Sequence, residues 1–293
     1  MTDERGTRPA SSASSGEPRA EPDDGPSHRA ASGAASLVRR RPRWHDELRC
    51  LVAALGYFTR VPIPPAIALD RNDLAGAARY FPVVGALVGA AGALVYLIAR
   101  CVFPPPVAVL LSMAATLLAT GALHEDGLAD CCDGFGGGPT REDALRIMRD
   151  PRLGAFGAIG LVIALALKWQ TLAALPAATA AWTMVSAHAA SRALAVSFLA
   201  THDYAREEGK AKPVAQRMPA RSLAVALALG LPWLVLPDWR AGALGLAVAL
   251  ALRFLLGRYF ARRLGGYTGD CLGLAQQIFE LALYLSALAW TSF

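Results

Sequence analysis

Residues His124 to Gly138 read HEDGLADCCDGFGGG and follow directly on a long uncharged, apolar run. Asp126, Asp130 and Asp133 are spaced four and three residues apart. On a helix they share one stripe roughly 60° wide. Three carboxylates on one stripe repel one another unless a cation lies between them. Hard oxygen ligands suit Mg2+, which binds through a few carboxylates together with substrate phosphates. The spacing therefore marks Asp126, Asp130 and Asp133 as candidate Mg2+ ligands, with Glu125 pointing to another face. A solvated acidic loop balancing Arg141, Arg146 and Arg149 is the plainer alternative. Gly134, Gly136, Gly137 and Gly138 follow. Glycines let a backbone approach a ligand closely, so Gly136 and Gly137 are candidate phosphate contacts. A simple glycine linker would read the same way.

Three further clusters carry charge. RIMRDPRLGAFG, Arg146 to Gly157, places Arg149 and Arg152 where guanidinium forks could meet phosphate. YAREEGKAKP, Tyr204 to Pro213, offers Lys210 and Lys212 as point charges for phosphate. GGYTGDCLG, Gly265 to Gly273, holds Asp270 at a helix start. There it is either a cap or a further metal or substrate ligand. Asp130 and Asp270 are also the candidates to take a proton from an attacking hydroxyl. Within an apolar stretch, His188 and Arg192 stand one helical turn apart. Ionisable groups in a bilayer are costly, so Arg192 needs a partner, and Glu280 with Gln276 is the expected one. Arg192 is also a candidate substrate contact. Lys168 and Arg253 are placed nearer span ends, where they would snorkel. The cysteines, Cys131 and Cys132 among them, form no C-x-x-C pair, so a zinc site has no support.

The elements that must hold these residues are membrane helices. The chain has 293 residues, 54% hydrophobic and only 18% charged, with a mean hydropathy of +0.36. The net charge of +6 lies in loops rather than in a basic patch interleaved with aromatics, which argues against nucleic acid as a partner. Residues 1–43 lack large apolar side chains and read as a disordered tail without the apolar core of a signal peptide. Residues 44–293 read as one integral-membrane catalytic domain. It opens with a short interfacial or half-buried helix near Leu48 to Phe58. About seven transmembrane helices follow, near 80–101, 106–123, 154–175, 178–200, 222–237, 241–257 and 272–292. The fold class is all-α, a polytopic helix bundle. Glycines at helix-face spacing, Gly85, Gly89 and Gly92, and again Gly154, Gly157 and Gly160, suit close helix packing. Arginine and lysine alternate between rich and poor loops, which sets the N-terminus and every polar, glycine-rich loop on the cytoplasmic side. Chemistry gathered at one interface favours an enzyme over a transporter, whose site usually lies at the midplane.

HEDGLADCCDGFGGG followed by RIMRDPRLGAFG resembles the signature of bacterial cobalamin synthases, the adenosylcobinamide-GDP ribazoletransferase family. RVPIP at Arg60 to Pro64, RYFPVVGALVG at Arg79 to Gly89, SRALA at Ser191 to Ala195 and GGYTGDCLG are similar to further blocks of that family, in its order. The resemblance covers about 44–280. It implies a multi-pass enzyme of the bacterial cytoplasmic (inner) membrane that joins adenosylcobinamide-GDP to α-ribazole or its 5′-phosphate. The products would be adenosylcobalamin or its phosphate, and GMP, with Mg2+ as cofactor. The expected mechanism has the metal on the pyrophosphate, Arg149, Arg152 and Lys210 on the diphosphate charge, and a carboxylate taking the proton of the ribazole 5′-hydroxyl. The bilayer is the other implied partner, and a homo-oligomer is compatible. A lipid enzyme similar to the CDP-alcohol phosphotransferases is the alternative. Its D-G is followed by A-R, whereas Asp126-Gly127 is followed here by Leu128-Ala129-Asp130.

Overall fold

The structure, a computed structural model, describes residues 43–64, 67, 71–206, 217–236 and 238–292. The expected tail falls almost wholly outside them, as does Lys210. The described chain is built of helices: α1 (Arg43–Phe58), α2 (Arg71–Ala77), α3 (Phe81–Arg100), α4 (Pro105–Thr120), α5 (Leu123–Gly137), α6 (Arg141–Ile147), α7 (Ala155–Ala174), α8 (Ala177–Ala195), α9 (Ser197–Thr201), α10 (Ala220–Gly230), α11 (Trp239–Leu264) and α12 (Gly269–Thr291). Single 3-10 turns lead into α3 and out of α10. Among the described residues the only β pairing is an isolated bridge between Tyr204 and Tyr267.

Four segments are long and apolar enough to cross a bilayer: Asp73–Arg100, Ala155–Ala174, Trp239–Leu264 and Gly269–Thr291. The all-α membrane bundle stands, but the other three expected spans take different forms. Pro105–Thr120 and Leu123–Gly137 pass the same test only as a pair, bent by 89°. Residues 222–237 become the short α10 and its 3-10 turn. Residues 178–200 become α8, which is enclosed by protein almost throughout from Ala180 to Ala195. A helix shielded from lipid need not be apolar, which explains its Ser, Thr, His and Arg.

The bend between α4 and α5 has a local cause. Gly121 and Ala122 both adopt left-handed backbone, at φ 68° and 56°. Their amides turn back onto the carbonyl of Leu117 and so close α4. Gly121 suits that conformation and Ala122 is strained in it, at a cost of roughly 1 kcal/mol. The acidic segment then runs as its own helix, α5, across the end of the bundle.

The centre of the bundle is the α3–α8 contact. Gly85 and Gly89 sit against the α8 backbone, as their spacing predicts. A Cβ on Gly85 would lie 2.2 Å from the His188 carbonyl oxygen, and one on Gly89 2.7 Å from that of Met184. Gly85→Val therefore forces the two helices apart. The melting temperature in detergent should fall by several degrees, about 2–4 °C per kcal/mol lost. Unchanged melting would remove this contact from its central place.

Candidate active site

A cavity of about 1000 Å3 opens among α1, α3, α5, α8 and α12, closed at one edge by the loop after α6 and by Tyr204 and Arg206. Asp126, Asp130 and Asp270 all line it. Asp126 and Asp130 lie one turn apart on α5, as expected, with Asp126 exposed and Asp130 half-buried. Asp270 sits in the first turn of α12. It is released from capping because Thr268 does that work, accepting from the Cys271 amide at 3.2 Å. The charges of Asp270 and Asp126 both act on Asp130. Among the described residues, Asp126 and Asp130 have no hydrogen-bonding partner, whereas Asp270 pairs with Arg206 at 2.6 Å. Arg206 was not singled out by spacing, and its charge alone marked it.

Asp133 does not join them. It is buried and does not line the cavity. Its oxygens accept from the amides of Gly154 at 2.7 Å and Gly157 at 2.8 Å, at the start of α7. A carboxylate on otherwise unpaired amides at a helix N-terminus is well satisfied there. Gly154 and Gly157 are glycine because a Cβ on either would lie 2.4 Å from an Asp133 oxygen. Gly136 and Gly137 correct a second expectation. They belong to the last turn of α5, away from the cavity lining, and Gly136 packs under the Phe156 ring.

Arg149, Asp150 and Arg152 form the rim. Arg152 is exposed and held by Asp150 at 2.6 Å. Arg192 also lines the cavity and is buried; its Nη1 donates to the His188 carbonyl at 2.9 Å and meets His188 Nδ1 at 3.1 Å. Glu280 is not its direct hydrogen-bond partner. Glu280 instead pairs with Lys168 at 2.8 Å and accepts from Gln276 at 2.5 Å. Lys168 does not snorkel: it is 5% exposed and also stands 3.6 Å from Glu125. Glu125 in turn accepts from Gln277 at 3.0 Å. The cluster thus balances two cations with two carboxylates and ties α5, α7, α8 and α12 together beneath the cavity.

A second group was missed by sequence reasoning. Tyr57, Phe58, Phe81 and His124 line the cavity beside the carboxylates. Burial pushes the Tyr57 hydroxyl up to about 12, with the neighbouring Tyr204 and Asp270 adding to the effect, so it stays protonated at neutral pH. Only the tertiary fold brings these rings from three helices together.

The donor set can be tested against a divalent cation. Among the described residues no three His, Cys, Asp or Glu side chains are grouped as a ready-made metal site. Mg2+ does not require one: it keeps several waters and is typically held by one or two carboxylates plus substrate phosphates. Asp126 and Asp130, without a hydrogen-bonding partner among the described residues and in one cavity with Asp270, fit that mode.

Residues 50–289 match the family described as cobalamin-5-phosphate synthase. A Ralstonia nicotianae protein, an adenosylcobinamide-GDP ribazoletransferase, is 62% identical over 252 residues, covering 84% of this chain and 97% of its own. Its namesake from Ralstonia pickettii is 56% identical over 250 residues, covering 84% and 98%. The one from Shewanella putrefaciens is 44% identical over 253 residues, covering 85% and 97%. No solved structure matches.

The buried pair yields a clear expectation. Lys168→Met removes the ion-pair partner of Glu280, leaving it the charge of Arg192 and the His188 ring 3.4 Å away, and should cost up to about 3–5 kcal/mol. Adding Glu280→Leu removes the stranded charge and should recover part of that loss. Detergent melting of the single and double variants measures both, and simple additivity of the two losses would contradict the pairing.

Proposed function

The chain belongs to the cobalamin-5-phosphate synthase family, and on that premise we propose that its cavity joins ribazole to the phosphate of adenosylcobinamide-GDP and releases GMP. The chain is a transferase of cobalamin biosynthesis, acting at the last stage of nucleotide-loop assembly. The observation that carries the site assignment is one cavity lined by Asp126, Asp130 and Asp270 together with Arg149, Arg152 and Arg206. Carboxylates for a cation and guanidinium groups for phosphate are what transfer from a diphosphate needs. The family match sets aside the lipid phosphotransferase alternative.

The chemistry divides among the residues. Arg149 and Arg152 at the rim, and Arg206 beside Asp270, supply fixed positive charge for the diphosphate. Asp126, Asp130 and Asp270 would hold Mg2+, which when bound neutralises the GMP leaving group and polarises the phosphorus. Asp133 drops out of this set because its oxygens already serve α7. Asp130 or Asp270 takes the proton of the attacking hydroxyl. That hydroxyl is not the ribazole 5′ one. The family is described by a 5-phosphate product, and an acceptor phosphorylated there has no free 5′-hydroxyl, so a secondary ribose hydroxyl attacks. Gly136 and Gly137 have no part in phosphate binding on this reading. Lys210 keeps its proposed role at the diphosphate.

The arginine-rich edges of the spans support an inner-membrane location with the cavity open to the cytoplasm.

The test is GMP release by the protein purified in detergent with cobinamide-GDP, α-ribazole and Mg2+. Asp126→Asn, Asp130→Asn and Asp270→Asn should each lower turnover by about 100-fold or more and raise the Mg2+ requirement, as expected for a lost transition-state charge contact. Asp133→Asn should lower the melting temperature and leave the Mg2+ requirement unchanged. Wild-type turnover of the first three variants at limiting Mg2+ would sink the metal assignment.

A further inference from the structure

The rings beside the carboxylates form a corner. Tyr57 and Phe81 lie parallel, within 7°, with centroids 6.0 Å apart. Phe58 and His124 lie parallel within 5°, 5.2 Å apart. The two sets cross nearly at right angles: Phe58 meets Phe81 at 86° and Tyr57 at 79°. All four line the cavity, and Val196, Leu199 and Leu161 extend the wall with apolar groups. A flat ring resting on one set presents its edge to the other. Offset stacking and edge-to-face contact are the two favoured aromatic geometries, so one corner supplies both.

We infer that this corner is the subsite for the base of the acceptor nucleoside, a flat benzimidazole, rather than for the guanine of the leaving group. The inference rests on the transfer reaction proposed above and adds the residues that select its acceptor.

The donor carries two flat bases, guanine and the adenine of its adenosyl group, and the acceptor carries one, a benzimidazole. The chemistry of the wall separates them, because adenine has an amino group and several ring nitrogens to satisfy and guanine has more. Guanine presents amino, N–H and carbonyl groups around its edge. Against phenyl rings, valine and leucine these would lose water without gaining partners, which is costly. A benzimidazole held by one ring nitrogen to its ribose has a single polar atom left, the other ring nitrogen, an acceptor. The corner offers a matching donor in the Tyr57 hydroxyl, which has no hydrogen-bonding partner among the described residues, and the His124 ring is the other polar group of the corner. Position agrees with this division. His124 belongs to the same helix as Asp126 and Asp130, and the Tyr57 ring is near enough to Asp270 to feel its charge. A base in the corner therefore leaves its ribose beside the carboxylates, where a secondary hydroxyl is to be deprotonated. The guanosine end is left to the charged rim.

The experiment uses the full chain in detergent, with wild-type GMP release as the control. If wild type releases no GMP, the transfer reading itself fails and the subsite is judged by binding of α-ribazole alone. With turnover present, Phe58→Leu and Phe81→Leu should each raise KM for α-ribazole about 10-fold, the scale of one lost base–aromatic stack. KM for cobinamide-GDP should stay near wild type. Phe58→Tyr and Phe81→Tyr, which keep the ring, should restore the α-ribazole KM. A rise confined to cobinamide-GDP, or a loss of kcat with both KM values unchanged, overturns the assignment. A second arm needs no variant and so no concern over folding. Free 5,6-dimethylbenzimidazole should compete with α-ribazole and not with cobinamide-GDP, while guanosine should not compete with α-ribazole. The reversed pattern, or no inhibition by the benzimidazole up to its solubility, overturns it equally.

Discussion

An acidic helix that continues straight on from a 16-residue apolar one, too short to cross a bilayer, would carry its first carboxylates into lipid. The whole site depends on how the chain meets that constraint. Gly121 and Ala122 reverse the backbone hand for two residues and turn α5 by 89° from α4. Every functional placement follows from that turn. Asp126 and Asp130 come to lie along the cavity, His124 enters the aromatic corner, and Asp133 reaches the start of α7. The strain stored at Ala122 sits in the wall of the cavity itself, the usual place for a backbone held away from its preference.

Once turned, α5 is held in place by the helices around it. Its anchors differ along its length. Asp133 holds one end through the amides of Gly154 and Gly157. Gly127 lets the middle lie against α12, where an added Cβ would stand 2.9 Å from the Asp270 carbonyl oxygen. Glu125 reaches down to Gln277 and Lys168. One helix thus presents carboxylates to the cavity on one side and structural contacts on the others. Its acidic residues look alike in sequence and divide into two kinds of work in space.

That division marks the limit of what spacing can reveal. The shared face of Asp126 and Asp130 was legible because a helical period alone sets it, and the place of Asp270 at a helix start because glycines flank it where a span begins. Asp133 has the same period, yet its partners are set by how α7 begins, 21 residues further on. Arg206 had only its charge to mark it. Lys168 was read as lying near a span end because hydropathy counts residues and does not see that Glu280 faces it. α8 is shielded by its neighbours, so its composition answers to protein and not to lipid. The bundle class rests on the long apolar helices, four segments of which have the length and composition to cross a bilayer. The aromatic corner left no local trace, since its rings come from α1, α3 and α5.

The Lys168–Glu280 pair also sets a problem of timing at the ribosome. Lys168 is made more than a hundred residues before Glu280. A lone lysine near the middle of a helix disfavours its passage from the translocon into lipid by roughly 2.5–3.5 kcal/mol. Until α12 emerges, α7 has only Glu125 to offset that charge. Stable insertion of α7 is therefore tied to the completion of the last helix. A chain truncated before α12 keeps a membrane segment whose charge only Glu125 offsets, a ready mark for proteolytic quality control. The same ion pair that steadies the finished site thereby makes its assembly close to all-or-none.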